Sequence, residues 1–327
     1  MESTNPDRPI AIEIENCRDI LRVYSDGSIS RSARPGFNVP VSDDGSVHHK
    51  DLLFDPSHDL RLRLYLPQSD GQKKLPIFYY FHGGGFCIGS RDWPNFHNYC
   101  LQLASALPAV VVAPDYRLAP EHRLPAALDD AFASLEWLGT AAAEEEMGEV
   151  ADFGRVFVSG DSAGGSIAHH LAVRVAGGGG RGRGVFGPAR IRAFVLLMPF
   201  FGGETHSVSE AECPVDAFLN LQLNDRYWRL SLPLGATRDH PYSNPFGPES
   251  PSLEPLELAP MLVVVGGRDL LRDRDADYAR KLKGLGKEAE LVEFEGMQHG
   301  FFTINPGSAQ AEELMRVLRR FIAKHAG

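Results

Sequence analysis

The residues that most clearly indicate a chemical reaction are a serine and its neighbours. Residues 160–164 read Gly-Asp-Ser-Ala-Gly and directly follow an apolar run at 156–158. A G-x-S-x-G placed after a buried strand predicts a nucleophile elbow, a sharp turn that lifts the serine hydroxyl above a sheet. The apolar, helix-compatible segment 167–175 follows, so the free N–H groups of a helix N-terminus would face Ser162. An ordinary tight turn is the alternative, but the strand before it and the helix after it favour a nucleophile.

A second motif predicts a place for negative charge. His82, Gly83, Gly84, Gly85 and Phe86 follow an apolar run at 75–81. Such a glycine triplet, with the N–H after a nucleophilic serine, forms an oxyanion hole, which assigns Gly83, Gly84 and Ala163 as donors. A flexible loop is the alternative, but the preceding histidine and the elbow make the pair of motifs specific. We expect His82 to be structural and to hold the glycine loop in place.

The acid and the base should follow the serine in that order along the chain. Asp269 comes just after an apolar run at 261–265, where a carboxylate would lie at the ligand-binding edge of a parallel sheet. Asp273 is the rival, although we expect it to cap the next helix. Only His299 and His325 follow Asp269. His299 lies in a loop after the last predicted strand, whereas His325 belongs to the C-terminal tail, so we assign His299 as the base. The alternative is that His299 is a surface loop histidine, and in that case Ser162 would have no base.

These residues predict acyl transfer through a covalent intermediate. His299 would take the proton of Ser162 as the hydroxyl attacks an ester carbonyl, and Asp269 would fix the tautomer of the imidazole. Water would then hydrolyse the acyl-enzyme. This chemistry requires no metal and no organic cofactor.

Strands that alternate with helices predict an α/β fold with a doubly wound, mostly parallel sheet. Alternating or apolar runs predict strands at 60–66, 75–81, 110–113, 156–159, 193–198, 261–265 and 289–294. Helical patterns occupy 124–138, 167–175, 276–285 and 309–324. In the first fifty residues, Asp26 and Gly27 predict a hairpin turn.

Residues 202–255 interrupt this alternation. They are rich in proline, contain aromatic residues from Phe218 to Trp228, and lack a sheet pattern. We interpret them as an insertion that covers the active site. The sequence shows no internal repeat and no linker long enough to separate two domains, so residues 1–327 are expected to form a single domain.

Composition excludes several classes of function. The 327 residues carry 33 Lys and Arg against 43 Asp and Glu, and the resulting net charge of −10 disfavours binding to nucleic acid. No apolar run approaches the length of a membrane span. The four scattered cysteines share no metal-ligand spacing and suggest free thiols in a reducing compartment. We therefore expect a cytoplasmic protein that acts on a small molecule, with the nucleus as a second location left open. The oligomeric state is not indicated.

Taken together, the motifs resemble those of a known family. The His82–Gly85 and Gly160–Gly165 segments resemble the hormone-sensitive-lipase-like group of α/β-hydrolases, as does the segment 115–121, which reads DYRLAPE. The chain is most similar to plant carboxylesterases, relatives of the gibberellin receptor, from about residue 10 to its end. The resemblance implies the α/β-hydrolase fold, with a cap formed by the N-terminal segment, about 1–50, and by the insertion, about 202–255.

The resemblance also narrows the substrate class. Segments 228–233, 235–240 and 244–248 are similar to the subgroup of plant carboxylesterases that degrades strigolactones. This similarity implies hydrolysis of the linkage between the butenolide ring and the tricyclic lactone of the hormone. Gibberellin receptors resemble the same fold but lack the triad histidine. The presence of His299 therefore favours hydrolysis over the alternative, a ligand-binding receptor with little or no turnover.

Several aromatic and apolar residues are candidates for the substrate pocket. They directly follow the oxyanion loop, the strand at 193–198 or the catalytic histidine, and they are Phe86, Cys87, Ile88, Phe200, Phe201 and Phe301. An aromatic, neutral pocket would suit an uncharged hydrophobic ester or lactone. Ordinary core packing is the alternative for each of them.

Overall fold

The computed structural model describes residues 11–32, 39–68, 71, 73–178 and 185–327. The chain divides into two compact units, Met1–Asn38 and Val39–Gly327. Each unit is described by itself.

The first unit contains a small antiparallel sheet with the strand order β1-β2-β3. Its strands are β1 Glu13–Cys17, β2 Leu21–Tyr24 and β3 Ile29–Arg31. The predicted hairpin turn is confirmed, because Gly27 has a φ of +82° and joins β2 to β3. Residues 1–10 and 33–38 of the expected N-terminal cap lie outside the described residues, and the cap itself stays a prediction.

The second unit is built on one large sheet. Its strand order is β12-β11-β10-β8-β6-β7-β5-β4, and the short strand β9 pairs with β10. Strands β12 to β7 in this order run parallel, whereas β5 and β4 at the far edge are antiparallel to their neighbours. The mostly parallel α/β fold predicted from the alternation is therefore confirmed. The strands are β4 Val47–Asp55, β5 Leu60–Pro67, β6 Leu75–Phe81, β7 Val110–Pro114, β8 Ala151–Asp161, β9 Val185–Phe186, β10 Ala189–Leu197, β11 Met261–Gly266 and β12 Ala289–Phe294.

Helices lie between the parallel strands and after β12. They are α1 Pro94–Ala106, α2 Ala126–Trp137, α3 Ala141–Met147, α4 Ala163–Ala176, α5 Val208–Ala211, α6 Leu221–Ser231, α7 Arg272–Gly284, α8 Phe301–Ile304 and α9 Ala309–His325. Helices α5 and α6 lie within the segment interpreted as an insertion. Among the described residues, no helix combines the length and apolar character that crossing a bilayer would need.

The central strands form the core and align the chemistry at one edge of the sheet. All five residues of β7 and all six of β11 are buried, as expected for strands covered on both faces. In the parallel register, Asp161 at the end of β8 lies opposite Leu197 at the end of β10. Leu197 in turn lies opposite Val264 near the end of β11. The loops that carry Ser162 and Asp269 therefore leave the sheet at the same edge.

Candidate active site

Ser162 occupies the strained turn predicted for it. It lies between β8 and α4 with a φ of +53° and a ψ of −118°, a conformation that residues other than glycine rarely adopt. The flanking glycines are required by close packing. A Cβ on Gly160 would lie 2.3 Å from the backbone of Gly164, and one on Gly164 would lie 1.9 Å from the carbonyl oxygen of Phe81. The sequence therefore folds into an elbow that presses the start of α4 against β6.

The glycine loop lies directly beside Ser162. A Cβ on Gly83 would lie 3.1 Å from the Cβ of Ser162 and 2.5 Å from Oδ2 of Asp161. Gly84 has a φ of +123°, and a Cβ there would lie 1.9 Å from the carbonyl oxygen of Ile88. Ala163 is the first residue of α4, so its N–H is one of the donors that a helix leaves unpaired. The two motifs therefore meet in space, with backbone donors beside Ser162.

His82 holds the beginning of this loop. Its Nδ1 lies 2.8 Å from the carbonyl oxygen of Gly83, which can only accept, so Nδ1 carries the proton. Its ring stacks on Tyr116 with centroids 4.4 Å apart, and the Tyr116 hydroxyl donates to the carbonyl oxygen of His82 at 2.8 Å. Burial lowers the pKa of His82, which keeps the ring neutral at pH 7. These contacts are the ones that a structural histidine would make.

Gly84→Ala should lower kcat for an ester by about 10²–10³-fold, the loss typical of removing one oxyanion donor. The new Cβ would collide with the carbonyl oxygen of Ile88 and force the loop away from Ser162. Gly286→Ala is the matched control, because its φ of +72° imposes similar backbone strain but nothing lies within 4 Å of the added Cβ. Steady-state kinetics of the two variants would measure this, and equal losses would refute the argument.

Asp269 and His299 form a buried pair at the same edge of the sheet. Nδ1 of His299 lies 2.7 Å from Oδ2 of Asp269, and the two residues are only 6% and 3% exposed. The other carboxylate oxygen, Oδ1, accepts the backbone N–H of Leu271 at 3.0 Å. The carboxylate is thus fixed on both sides, and the imidazole is left to present Nε2. This is the geometry in which a carboxylate orients a general base.

The two rival residues have other partners. Asp273 lies in the first turn of α7, where its carboxylate accepts the backbone N–H of Ser209 at 2.8 Å and pairs with Arg272. The N-cap residue of α7 is Leu271. Asp273 therefore does not cap that helix, contrary to the expectation from the sequence. His325 lies at the end of α9, with Nε2 3.9 Å from a carboxylate oxygen of Glu288. Neither contacts Asp269 or His299 in any interaction of the described residues.

Residues at the end of β10 hydrogen-bond both to Ser162 and to the loop that carries His299. The N–H of Ser162 donates to the carbonyl oxygen of Leu197 at 2.9 Å. The sulfur of the next residue, Met198, accepts a hydrogen bond from the N–H of Gly300 at 3.2 Å. Two consecutive residues thus anchor the elbow and the residue after His299. This role of Met198 could not be predicted from the sequence, because it depends on tertiary contacts and on a φ of +48°.

Asp161, the residue before Ser162, is a buried carboxyl group that was not among the predicted site residues. The hydroxyl of Tyr80 donates to its Oδ1. Burial raises the pKa of Asp161 to about 6, although Tyr80, the charge of His299 and the N–H of Gly83 act in the opposite direction. The N–H of Gly83 therefore faces Asp161 rather than open space, and the carboxyl group links the elbow to the glycine loop.

This pKa predicts a specific pH dependence of stability. The pKa of Asp161 is higher in the folded chain than in the unfolded one, so the stability it contributes is present at low pH and is lost as pH rises toward 6. The difference in unfolding free energy between the wild type and Asp161→Asn should therefore fall by about 1 kcal/mol between pH 5 and pH 7.5. Urea unfolding at both pH values would measure it.

Asp152→Asn, on the same strand, provides the control. Burial also acts to raise the pKa of Asp152, but the hydrogen bonds from Arg155 and from the N–H of Gly154, together with the charges of Arg155 and Lys74, outweigh it, and the pKa is lowered. The corresponding difference for this variant should not fall over the same pH range. A flat result for Asp161→Asn, or the same fall for both variants, would contradict the assignment.

The candidate pocket residues separate into two groups. Phe86 and Phe200 belong to a buried aromatic cluster, in which Phe200 stacks on Trp228 with centroids 4.3 Å apart and Phe86 lies 5.9 Å from Trp228. Trp228 and its neighbour Tyr227 lie on α6, within the insertion. A Cβ on Gly85 would lie 2.3 Å from the ring of Tyr227. The insertion therefore packs directly on the oxyanion loop.

The other pocket candidates make different contacts. Phe201 packs against His169 and Tyr278, and Phe301 packs against Phe294, with centroids 5.5, 4.8 and 5.1 Å apart. Cys87 directs its thiol to the carbonyl oxygen of Tyr227 at 3.8 Å, and Ile88 is buried beside Gly84. The ring contacts of Phe201 and Phe301 are those of ordinary core packing.

Comparison with known proteins identifies the family. Residues 78–303 match the family model described as the alpha/beta hydrolase fold. The chain is 39% identical to carboxylesterase 20 of Arabidopsis thaliana, over 84% of each chain. It is 35% identical to a gibberellin receptor of Oryza sativa subsp. japonica, over 92% of this chain and 86% of the receptor. Among solved structures, an esterase of Pyrobaculum calidifontis shares 29% identity with a TM-score of 0.72, over 89% of this chain and 88% of that one.

The match covers the elbow, the glycine loop, the buried carboxylate and its histidine in one continuous alignment. Relatives above 30% identity extend over more than two thirds of the chain. The chain therefore belongs to the α/β-hydrolase fold family, within the group that includes the plant carboxylesterases, and it is a carboxylic ester hydrolase.

Proposed function

We propose that the chain hydrolyses a small, uncharged, hydrophobic ester or lactone through Ser162, His299 and Asp269. The observation that carries the proposal is the buried 2.7 Å contact between Nδ1 of His299 and Oδ2 of Asp269. A carboxylate in this position favours the tautomer whose Nε2 can accept a proton, and it stabilises the imidazolium that forms. A protein that only bound its ligand would not need a buried carboxylate–histidine pair together with a serine in a strained elbow turn.

In the first half-reaction, Nε2 of His299 takes the proton of Ser162 while Oγ attacks the carbonyl carbon. The oxyanion accepts hydrogen bonds from the N–H groups of Gly84 and Ala163. Gly83, the third donor expected from the sequence, turns its N–H to Asp161 instead and holds the loop in place. The protonated histidine then gives its proton to the leaving alcohol. Water, activated by the same histidine, releases the acid in the second half-reaction.

The pocket proposal rests on the aromatic residues near the loop. Phe86, Cys87 and Ile88 follow the oxyanion glycines, and Phe200 follows β10. These buried side chains carry no charge, which suits an uncharged acyl or lactone group. Phe201 and Phe301 are proposed to support the pocket only indirectly, through core contacts with His169, Tyr278 and Phe294. A strigolactone is the finer substrate proposal, and it rests only on the similarity of segments 228–233, 235–240 and 244–248.

The test is turnover by the purified full-length chain. We expect hydrolysis of p-nitrophenyl acetate and covalent labelling by a fluorophosphonate probe, with the modified peptide containing Ser162. A screen of hydrophobic esters and lactones, with products identified by mass spectrometry, would then rank substrates. Release of the butenolide ring from a strigolactone analogue would support the finer proposal, and hydrolysis of other esters only would refute it.

A ligand-binding receptor is the second candidate, because a gibberellin receptor is 35% identical over 92% of the chain. This alternative predicts that gibberellin raises the melting temperature of the protein and is recovered unchanged. It also predicts no turnover of any ester above background. Absence of both turnover and fluorophosphonate labelling would replace the hydrolase proposal with the receptor.

A further inference from the structure

Two histidines and a carboxylate converge outside the active site. Asp43 precedes β4, His49 lies on β4, and His97 lies on α1. Each offers one ligand atom, and these atoms all lie within 4.8 Å of one another. The fold alone unites them, since His97 is distant from the other two along the chain. Two imidazoles and one carboxylate form a donor set suited to borderline divalent metals such as zinc.

The environment of His97 leaves one nitrogen available. His97 is only 7% exposed, and its Nδ1 lies 2.9 Å from the hydroxyl of Tyr65. Tyr65 also hydrogen-bonds the buried thiol of Cys100. Tyr65 can therefore donate to the sulfur of Cys100 while it accepts the Nδ1–H of His97. In this arrangement Nε2 is the ligand atom, and the second ring nitrogen has the hydrogen-bond partner that metal-binding histidines usually have.

The local charges permit a cation at this place. Nη1 of Arg63 lies 3.4 Å from Nδ1 of His97. Arg63 also donates to the hydroxyl of Tyr65, and its Nε and Nη2 donate to the carboxylate of Asp51 at 2.6 and 2.9 Å, which balances its charge. The rings of His49 and His97 meet edge to face, with centroids 4.8 Å apart.

We propose that Asp43, His49 and His97 bind a divalent transition metal, zinc in the first instance, with water completing the coordination. Small movements of the exposed Asp43 and the half-buried His49 toward the fixed His97 would complete the site. The metal would join the segment before β4, the strand itself and helix α1. It would act on the stability of the edge of the sheet and would take no part in ester hydrolysis.

A second cluster in the described residues, Glu288, Glu290 and His325, carries no such proposal. The ammonium group of Lys324 lies 3.0 Å from Oε1 of Glu288 and 2.5 Å from Oε1 of Glu290. A cation is therefore already supplied to these carboxylates by the chain itself. This cluster is a useful control for zinc bound at the surface.

The test is titration of the chelator-treated full-length protein with zinc chloride, followed by calorimetry and by thermal unfolding. We expect one zinc ion per chain, a higher melting temperature, and no effect of magnesium chloride. His49→Ala should weaken zinc binding at least about tenfold. His48→Ala is the matched control, because neighbouring residues of a strand point to opposite faces and His48 is exposed. His325→Ala should also bind zinc as the wild type does.

A second pair of variants keeps the proposal falsifiable if His49→Ala folds poorly. Asp43→Asn should weaken zinc binding, whereas Asp44→Asn should not. Tyr65→Phe removes only the hydroxyl that holds His97 and should weaken zinc binding by about 10–100-fold. Absence of zinc binding by the wild type would overturn the proposal. Equal losses in His48→Ala and His49→Ala, or full binding by His49→Ala and Asp43→Asn, would also overturn it.

Discussion

Ser162→Ala should lower kcat for p-nitrophenyl acetate by about 10⁶-fold, the loss seen when a triad serine is removed. The alanine keeps the Cβ in the strained turn but removes the only atom that can attack the carbonyl. His299→Ala should have an effect of similar size, because serine without its base is a weak nucleophile. The double variant should lose no more than either single one, since the two residues act as a unit.

His325→Ala is the matched control for the histidine. It removes an imidazole from the end of α9 that contacts Phe321 and Glu288 but neither Asp269 nor His299. Its kinetics should equal those of the wild type, and all variants should unfold cooperatively. Measurable turnover by Ser162→Ala near the wild-type rate would show that the hydrolysis arises elsewhere, and it would refute the assigned mechanism.

Asp269→Asn should lower kcat by about 10⁴-fold while leaving the fold intact. The amide is isosteric, but it can donate to Nδ1 of His299 and thereby favour the tautomer that carries its proton on Nε2. That tautomer cannot accept the proton of Ser162. The loss should appear in kcat rather than in KM, because Asp269 is buried and supports the base. Steady-state kinetics over a range of pH would measure it.

Asp273→Asn separates this prediction from the rival assignment. Its carboxylate accepts the N–H of Ser209 and pairs with Arg272, so its replacement should change stability slightly and leave kcat unchanged. If Asp273→Asn lost more activity than Asp269→Asn, the identity of the catalytic acid would have to be reversed.

Two strands could be predicted closely from the sequence, β6 because it is almost entirely apolar and β12 although it is only partly buried. The expected runs at 75–81 and 289–294 coincide with β6 and β12. Strand β8 begins earlier than expected, because its first residues are not continuously apolar and are paired with β6 instead. Helix α1 was not predicted, since Asn95, His97 and Asn98 are polar in sequence but buried in the fold. Helix α7 begins at Arg272 rather than at 276 because its charged first turn carries no apolar period.

For the site, chain order and strand ends predicted Ser162, Asp269 and His299, since loops after parallel strands meet at one edge of a sheet. The structure shows the elbow turn at Ser162 and the contact between Asp269 and His299, and the catalytic roles stay a prediction. The residues that support the site could not be predicted in this way. Asp161 is a polar residue within a recognised motif, yet its burial and its hydrogen bond from Tyr80 depend on the neighbouring strand. Tyr227 reaches the oxyanion loop only because α6 packs on Gly85. Such contacts between distant segments leave no local pattern in the sequence.

The hydrogen bonds at Leu197 and Met198 limit how the substrate range of this chain can change. Leu197 anchors the elbow and Met198 anchors the loop that carries His299. A substitution that shifts this pair would therefore misalign Ser162 and His299 together. By contrast, α6 reaches the site through side chains packed on the oxyanion loop and on Phe200. Diversification toward new esters is therefore expected to proceed through α6, while the end of β10 tolerates little variation.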